Sequence, residues 1–223
     1  MTVLTAPLNL ARIPLNRYCR EVRADLRDRG SLHRRVQSLF PDQLGPHPRA
    51  AAGVLFRLER TESCATLLVQ SAIPVNRNAL PTGYTSADVE YRDLAPLLDW
   101  AQAGRTVQYR IDAQPQRSVR EPHRPGVERP RGKPVSLIGQ DAVDWWHRQA
   151  LLAGLQPHTI LDLRQPIATV LRETAQSGSF RITRFEGTAT ITDPDALRTA
   201  LRKGIGQGRS YGLGLLSIAP HRP

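Results

Sequence analysis

The segment that most restricts how this 223-residue chain can fold is 114–134. It holds Pro115, Pro122, Pro125, Pro130 and Pro134 among Arg117, Arg120, Arg124, Arg129, Arg131 and Lys133. Proline fixes φ and has no N–H to donate, so prolines at this density exclude a helix or a central strand. The stretch reads as a linker or long loop that divides the chain into two parts. Its cations suit either a solvated connector or a strap that orders on a polyanion.

Ahead of that segment the apolar periodicity gives a first strand over 2–10 and a polar, arginine-rich stretch over 17–29. A helix follows over 31–40, where Leu32, Val36, Leu39 and Phe40 share one face, Ser31 is placed to cap and Pro41 ends it. Alternation marks strands over 54–59, with Val54, Phe56 and Leu58 on one face, and over 64–70. A helix over 95–103 and a strand over 106–112 complete the order strand, helix, strand, strand, helix, strand, which is that of a ferredoxin-like unit.

Beyond the linker, 141–154 reads as a helix, 159–163 and 180–192 as strands, and 211–218 as the last strand. Asp193-Pro194 is a helix start, a capping side chain followed by proline at the first helical position, and Gly204 ends that helix. The adjacent Trp145 and Trp146 point about 100° apart on their helix, which suits core packing better than base stacking. The fold class is therefore α+β, two tandem ferredoxin-like (RRM-like) domains at 1–113 and 135–223 joined by the basic linker.

The hydrophobic residues, 40% of the chain, are enough for a real core. No apolar run approaches the roughly 18 residues of a membrane span. Asn9, Arg12 and Asn16 break up any signal peptide. The chain is read as soluble and cytoplasmic, with no membrane partner.

Thirty-one Lys and Arg against twenty Asp and Glu leave +11, and only Lys133 and Lys203 are lysines. An arginine-rich genome accounts for the choice of arginine but not for the surplus. Guanidinium groups bind phosphate bidentately and stack on bases, so the expected partner is a nucleic acid. Cys19 and Cys64 form no CxxC pair, and the histidines show no ligand spacing, so neither metal nor cofactor is expected.

Two features remain. The run from Gly204 to Gly214 carries Gly206, Gly208 and Gly212 as well, but it follows a helix and precedes a strand. A dinucleotide fingerprint has the reverse setting, and the Walker lysine is missing. A backbone that approaches a phosphate through Gly206 and Gly208, with Arg209 beside it, fits better, as does a turn that only packs tightly. His33 lies beside the apolar stripe of its helix with Arg34 and Arg35 next in sequence. Imidazole titrates near neutrality, so His33 suits general acid or base work at a phosphate, or is simply a half-buried histidine.

The terminal run Gly204-Ile205-Gly206-x-Gly208-Arg209-x-x-Gly212-Leu213-Gly214-Leu215-Leu216-Ser217-Ile218-Ala219-Pro220 strongly resembles the CasE family, the CRISPR RNA-processing endoribonucleases of the type I-E Cascade complex. Similar to the same family are Leu32-His33-Arg34 leading to Leu39-Phe40-Pro41, Leu68-Val69-Gln70-Ser71 followed by Pro74, and Phe185-Glu186-Gly187. The resemblance implies metal-independent cleavage of a repeat hairpin, retention of the product and assembly with other Cascade subunits. It makes His33 the catalytic histidine. Arg34, Arg35, Arg117, Arg120, Arg131, Lys133, Arg172, Gly206, Gly208 and Arg209 are the candidate RNA contacts, with the region 164–179 entering a groove. Many members carry a tyrosine three residues before that histidine, where this chain has Gly30. That departure keeps open a non-catalytic hairpin-binding subunit of the same fold; separately, the arginine surplus also suits a basic assembly protein whose arginines bind protein partners.

Overall fold

The computed structural model describes residues 7–41, 52–119, 132–170 and 178–221. The first unit contains β1 (Asn9–Pro14), α1 (Arg20–Arg27), α2 (Arg29–Gln37), β2 (Leu55–Arg60), β3 (Ala65–Ser71) and β4 (Glu90–Asp93). Its four strands lie in the order β2-β3-β1-β4, and every pairing is antiparallel. This is the ferredoxin-like order expected from the sequence. The sheet and the helices bury Ala11, Ile13, Leu32, Val36, Phe56, Leu67 and Val69 in one core.

The second unit contains α3 (Ala95–Trp100), β5 (Thr106–Ala113), β6 (Gln116–Val119), β7 (Lys133–Ser136), α4 (Gln140–Leu152), β8 (Leu155–Pro157), β9 (Leu161–Arg164), β10 (Ala168–Val170), β11 (Gly178–Phe180), β12 (Thr183–Ile191), α5 (Pro194–Lys203) and β13 (Ser217–Pro220). Its main sheet runs β13-β5-β12-β8, with β9 also paired to β12. Trp146 is fully buried here and stacks on Phe185, with ring centroids 5.6 Å apart at 13°. Trp145 packs at the margin of the same core, so both tryptophans are packing residues.

The boundary between the units differs from the expected 113/114. The strand over 106–112 pairs with β12 and β13 and is the first strand of the second sheet, not the last of the first. Likewise Leu98 and Ala101, at and just after the end of α3, join the second core. The prolines therefore interrupt the second unit after its first strand. The flanks of the basic segment pair with each other, as β6 with β7, and the short β4 closes the first sheet.

Local boundaries shift for similar reasons. The first strand is Asn9–Pro14, because Ala11 and Ile13 are the inward residues and Pro7 cannot donate to a ladder. The arginine-rich stretch at 17–29 folds as α1, which buries Val22 and Asp25. The 31–40 helix starts earlier, at Arg29, because Asp28 and not Ser31 is its cap: the Asp28 carboxylate accepts the N–H groups of Gly30 and Ser31, both at 2.9 Å. Such a cap is worth about 1 kcal/mol. The last strand begins only at Ser217, because Gly212 and Gly214 have positive φ and cannot extend the ladder.

Candidate active site

Helix α2 presents His33 half-buried, one position along from the fully buried Leu32. Against this helix lies a single 3-10 turn, Arg209–Tyr211, inside the glycine run. The imidazole of His33 and the ring of Tyr211 have centroids 6.1 Å apart, tilted at 57°. The second domain therefore forms one wall around the histidine. Strand β10, from the arm that sequence reasoning assigned to a groove, also lies against α2.

The turn is shaped by its glycines. Gly208 and Gly212, at its two ends, are left-handed with φ of 76° and 84°. A Cβ on Gly212 would sit 2.8 Å from Phe56 Cε2 and 3.3 Å from Arg29 Nη1. Only a residue without a side chain lets the turn come this close to β2 and α2.

Arg29 is four residues before His33 and so on the same helical face. Its Nη1 is buried with no hydrogen-bond partner among the described residues. Burial pulls the guanidinium pKa down to about 10, Asp112 opposes that and Arg60 adds to it. The group remains a cation at neutral pH, and it adds positive potential on the face of α2 that carries His33.

A buried ionic cluster holds the turn in place. Arg57 on β2 donates through Nη1 to the carbonyl of Leu215 at 2.9 Å and to that of Arg110 at 3.2 Å, across the domain boundary. Glu59 pairs with Arg57 and Arg184, each at 2.8 Å. Arg184 binds Asp112 bidentately at 2.7 and 2.9 Å. The Gly214 N–H then donates to the Asp112 carbonyl at 2.8 Å, and Ile205 donates back to the Gly214 carbonyl at 3.0 Å. Burial works against the Glu59 charge, but Arg57, Arg184 and Arg110 outweigh it and hold its carboxyl below the usual range.

The residues singled out from sequence divide into several groups. His33, Gly206, Gly208 and Arg209 fall on α2 and the glycine run. Gly206 and Gly208 both have positive φ, and the first packs on Trp145. Arg209 donates to the carbonyl of Lys203 at 2.9 Å, so it also caps the end of α5. Arg34 is exposed and donates to Ser31 Oγ. Arg35 lies about 200° round the helix from His33. It pairs with Asp25 at 3.0 Å and covers the Tyr84 ring, so it is tied into the first core. Arg117 and Lys133 are exposed on the β6–β7 hairpin. Arg120, Arg131 and Arg172 lie outside the described residues. Sequence reasoning missed Arg29, whose signal was its four-residue spacing from His33. It also missed Tyr211, for which no local signal exists.

Among the described residues no group of three or more His, Cys, Asp or Glu is placed to hold a metal ion. No described helix is long and apolar enough to cross a membrane.

A family model described as CRISPR associated protein matches residues 8–220. The chain is 30% identical over 209 residues to the CRISPR system Cascade subunit CasE of Escherichia coli strain K12, a match covering 89% of this chain and 95% of that protein. It is 26% identical over 225 residues to the CRISPR-associated endoribonuclease Cse3 of Thermus thermophilus, covering 95% and 99%. A solved structure of CRISPR endoribonuclease Cse3 bound to 19 nt RNA superposes with a TM-score of 0.78 at 25% identity, over 96% of this chain and all of that one. With the terminal glycine motif, the histidine helix and the two ferredoxin-like sheets all in place, the chain belongs to the CasE/Cse3 family of CRISPR-associated proteins.

Proposed function

We propose that this protein is a metal-independent endoribonuclease that cuts CRISPR precursor RNA at its repeat hairpin and stays on the product as a cytoplasmic Cascade subunit. The observation that carries the proposal is the placement of His33. It stands half-open on α2, with a buried cation on the same helix face and the glycine turn opposite, in a chain with a surplus of eleven positive charges.

The reaction is an internal transesterification. The ribose 2′-hydroxyl attacks the adjacent phosphorus, the P–O5′ bond breaks, and the products end in a 2′,3′-cyclic phosphate and a 5′-hydroxyl. His33 moves a proton, as base to the 2′-hydroxyl or as acid to the leaving 5′-oxygen. Nearby positive charge, Arg29 included, offsets the negative charge that grows on the phosphorane. The hairpin stem is read by shape and phosphates, with Arg34, Arg117 and Lys133 as exposed contacts. Arg120, Arg131 and Arg172 complete the proposed basic surface. Arg35 is the weakest member of the proposed set, since Asp25 already neutralises it.

The test is a cleavage assay on the host repeat RNA. His33→Ala should slow cutting by about 10²–10⁴-fold while the hairpin still binds. A 2′-deoxyribose at the cut should abolish the reaction, and EDTA should leave it intact. Cleavage that survives the deoxy substitution but fails in EDTA would overturn the mechanism. Gly30 favours a second reading, a hairpin-binding subunit without activity, and an uncut repeat that still binds would establish it.

A further inference from the structure

We propose that Tyr211 is a positioning residue for His33, so that the reacting histidine is held by a side chain from the other domain. The inference rests on the endoribonuclease reading above. It starts from the ring contact: centroids 6.1 Å apart at 57° lie within the range in which tilted aromatic pairs attract. His33 is half-buried, and proton transfer needs one ring nitrogen aimed at one oxygen. The Tyr211 ring beside it limits the orientations its imidazole can take.

The wall itself is fixed. Tyr211 donates its backbone N–H to the Gly208 carbonyl at 2.8 Å, and left-handed glycines bound the turn on both sides. Next to it Phe56 and Arg29 leave no room for a side chain at Gly212, and Leu213 is buried. The turn therefore cannot slide along α2 without driving backbone into the first core. Tyr211 itself is only partly buried, as is His33, so the pair borders the space an RNA strand would occupy. The proposal assigns the constraint to the ring, the part of Tyr211 that lies against His33.

Three measurements on the full-length protein test this. Single-turnover cleavage of repeat RNA by Tyr211→Ala should fall about tenfold, the order expected when one aromatic pair is lost, with hairpin affinity within about threefold. Tyr211→Phe keeps the ring and should restore the rate to within about threefold of the wild type. In the RNA-free protein the His33 ring protons should move in the NMR spectrum of Tyr211→Ala and stay in place in Tyr211→Phe. A Tyr211→Ala enzyme that cuts at the wild-type rate overturns the proposal, and so do His33 protons that ignore the change. A Tyr211→Phe enzyme as slow as Tyr211→Ala also overturns it, since the phenol would then be the active part. If the wild type itself fails to cut, it is the endoribonuclease reading that falls, and the NMR arm shows separately whether the ring contact exists.

Discussion

Replacing Gly212 by alanine separates two costs that glycine avoids, and Gly206 supplies the control. Both glycines are left-handed, with φ of 84° and 79°. An L-residue there costs about 1–2 kcal/mol in either case. The gain from a less flexible unfolded chain, about 0.4–1 kcal/mol, is also common to both. The surroundings differ. A Cβ on Gly206 would rest 3.4 and 3.5 Å from the partly buried Trp145 ring, near ordinary contact. On Gly212 it would press at 2.8 and 3.1 Å on Phe56, whose ring is fully buried, and at 3.3 Å on Arg29. Overpacking of this kind costs about 1–3 kcal/mol. Gly212→Ala should therefore be less stable than Gly206→Ala by about that difference. Urea unfolding followed by circular dichroism reads it as a lower midpoint at an unchanged slope. Equal midpoints would refute the claim that close approach to the first domain, rather than backbone conformation alone, demands glycine at 212.

Three further predictions concern what holds the site. Arg184→Ala should destabilise the protein by about 3–5 kcal/mol, because it strands the buried Asp112. The double change Arg184→Met, Asp112→Leu should cost less than the single one, as a double-mutant cycle would report. Glu59 ionises more readily folded than unfolded, so its contribution is present above its ordinary pKa of 4.5 and is lost as pH falls through the lower folded value. Glu59→Gln should accordingly lower the melting temperature at pH 7, and the gap to the wild type should close below pH 4.5. Asp28→Ala should cost about 0.5–2 kcal/mol and, by loosening the first turn of α2, slow cleavage more than it weakens hairpin binding.

The sequence made the fold legible wherever local chemistry dictated it. Asp193-Pro194 started α5, the alternation of Val107, Tyr109 and Ile111 marked β5, and Leu32 with Val36 marked α2. What stayed hidden depended on partners distant in sequence. The alternation of β5 says that it is a strand but not which sheet it joins, and only the pairing with β12 decides that. The short α1 was obscured because Asp25, a charged residue, is among its buried positions and binds Arg35 and Tyr84 there. In the candidate site, the place of His33 on a helix was legible from the apolar spacing around it. Tyr211 was not, because the turn meets α2 only after the two domains have docked.

That docking has a consequence for how the site is put together. The residues that meet around His33 are far apart in sequence, so bringing them together closes a long loop, at an entropic cost that grows slowly with its length. The first half supplies the histidine helix, Arg29 and Arg57, and the second supplies the opposing turn and the carbonyls that Arg57 binds. Docking of the two halves is thus what completes the surroundings of His33, which neither half supplies alone.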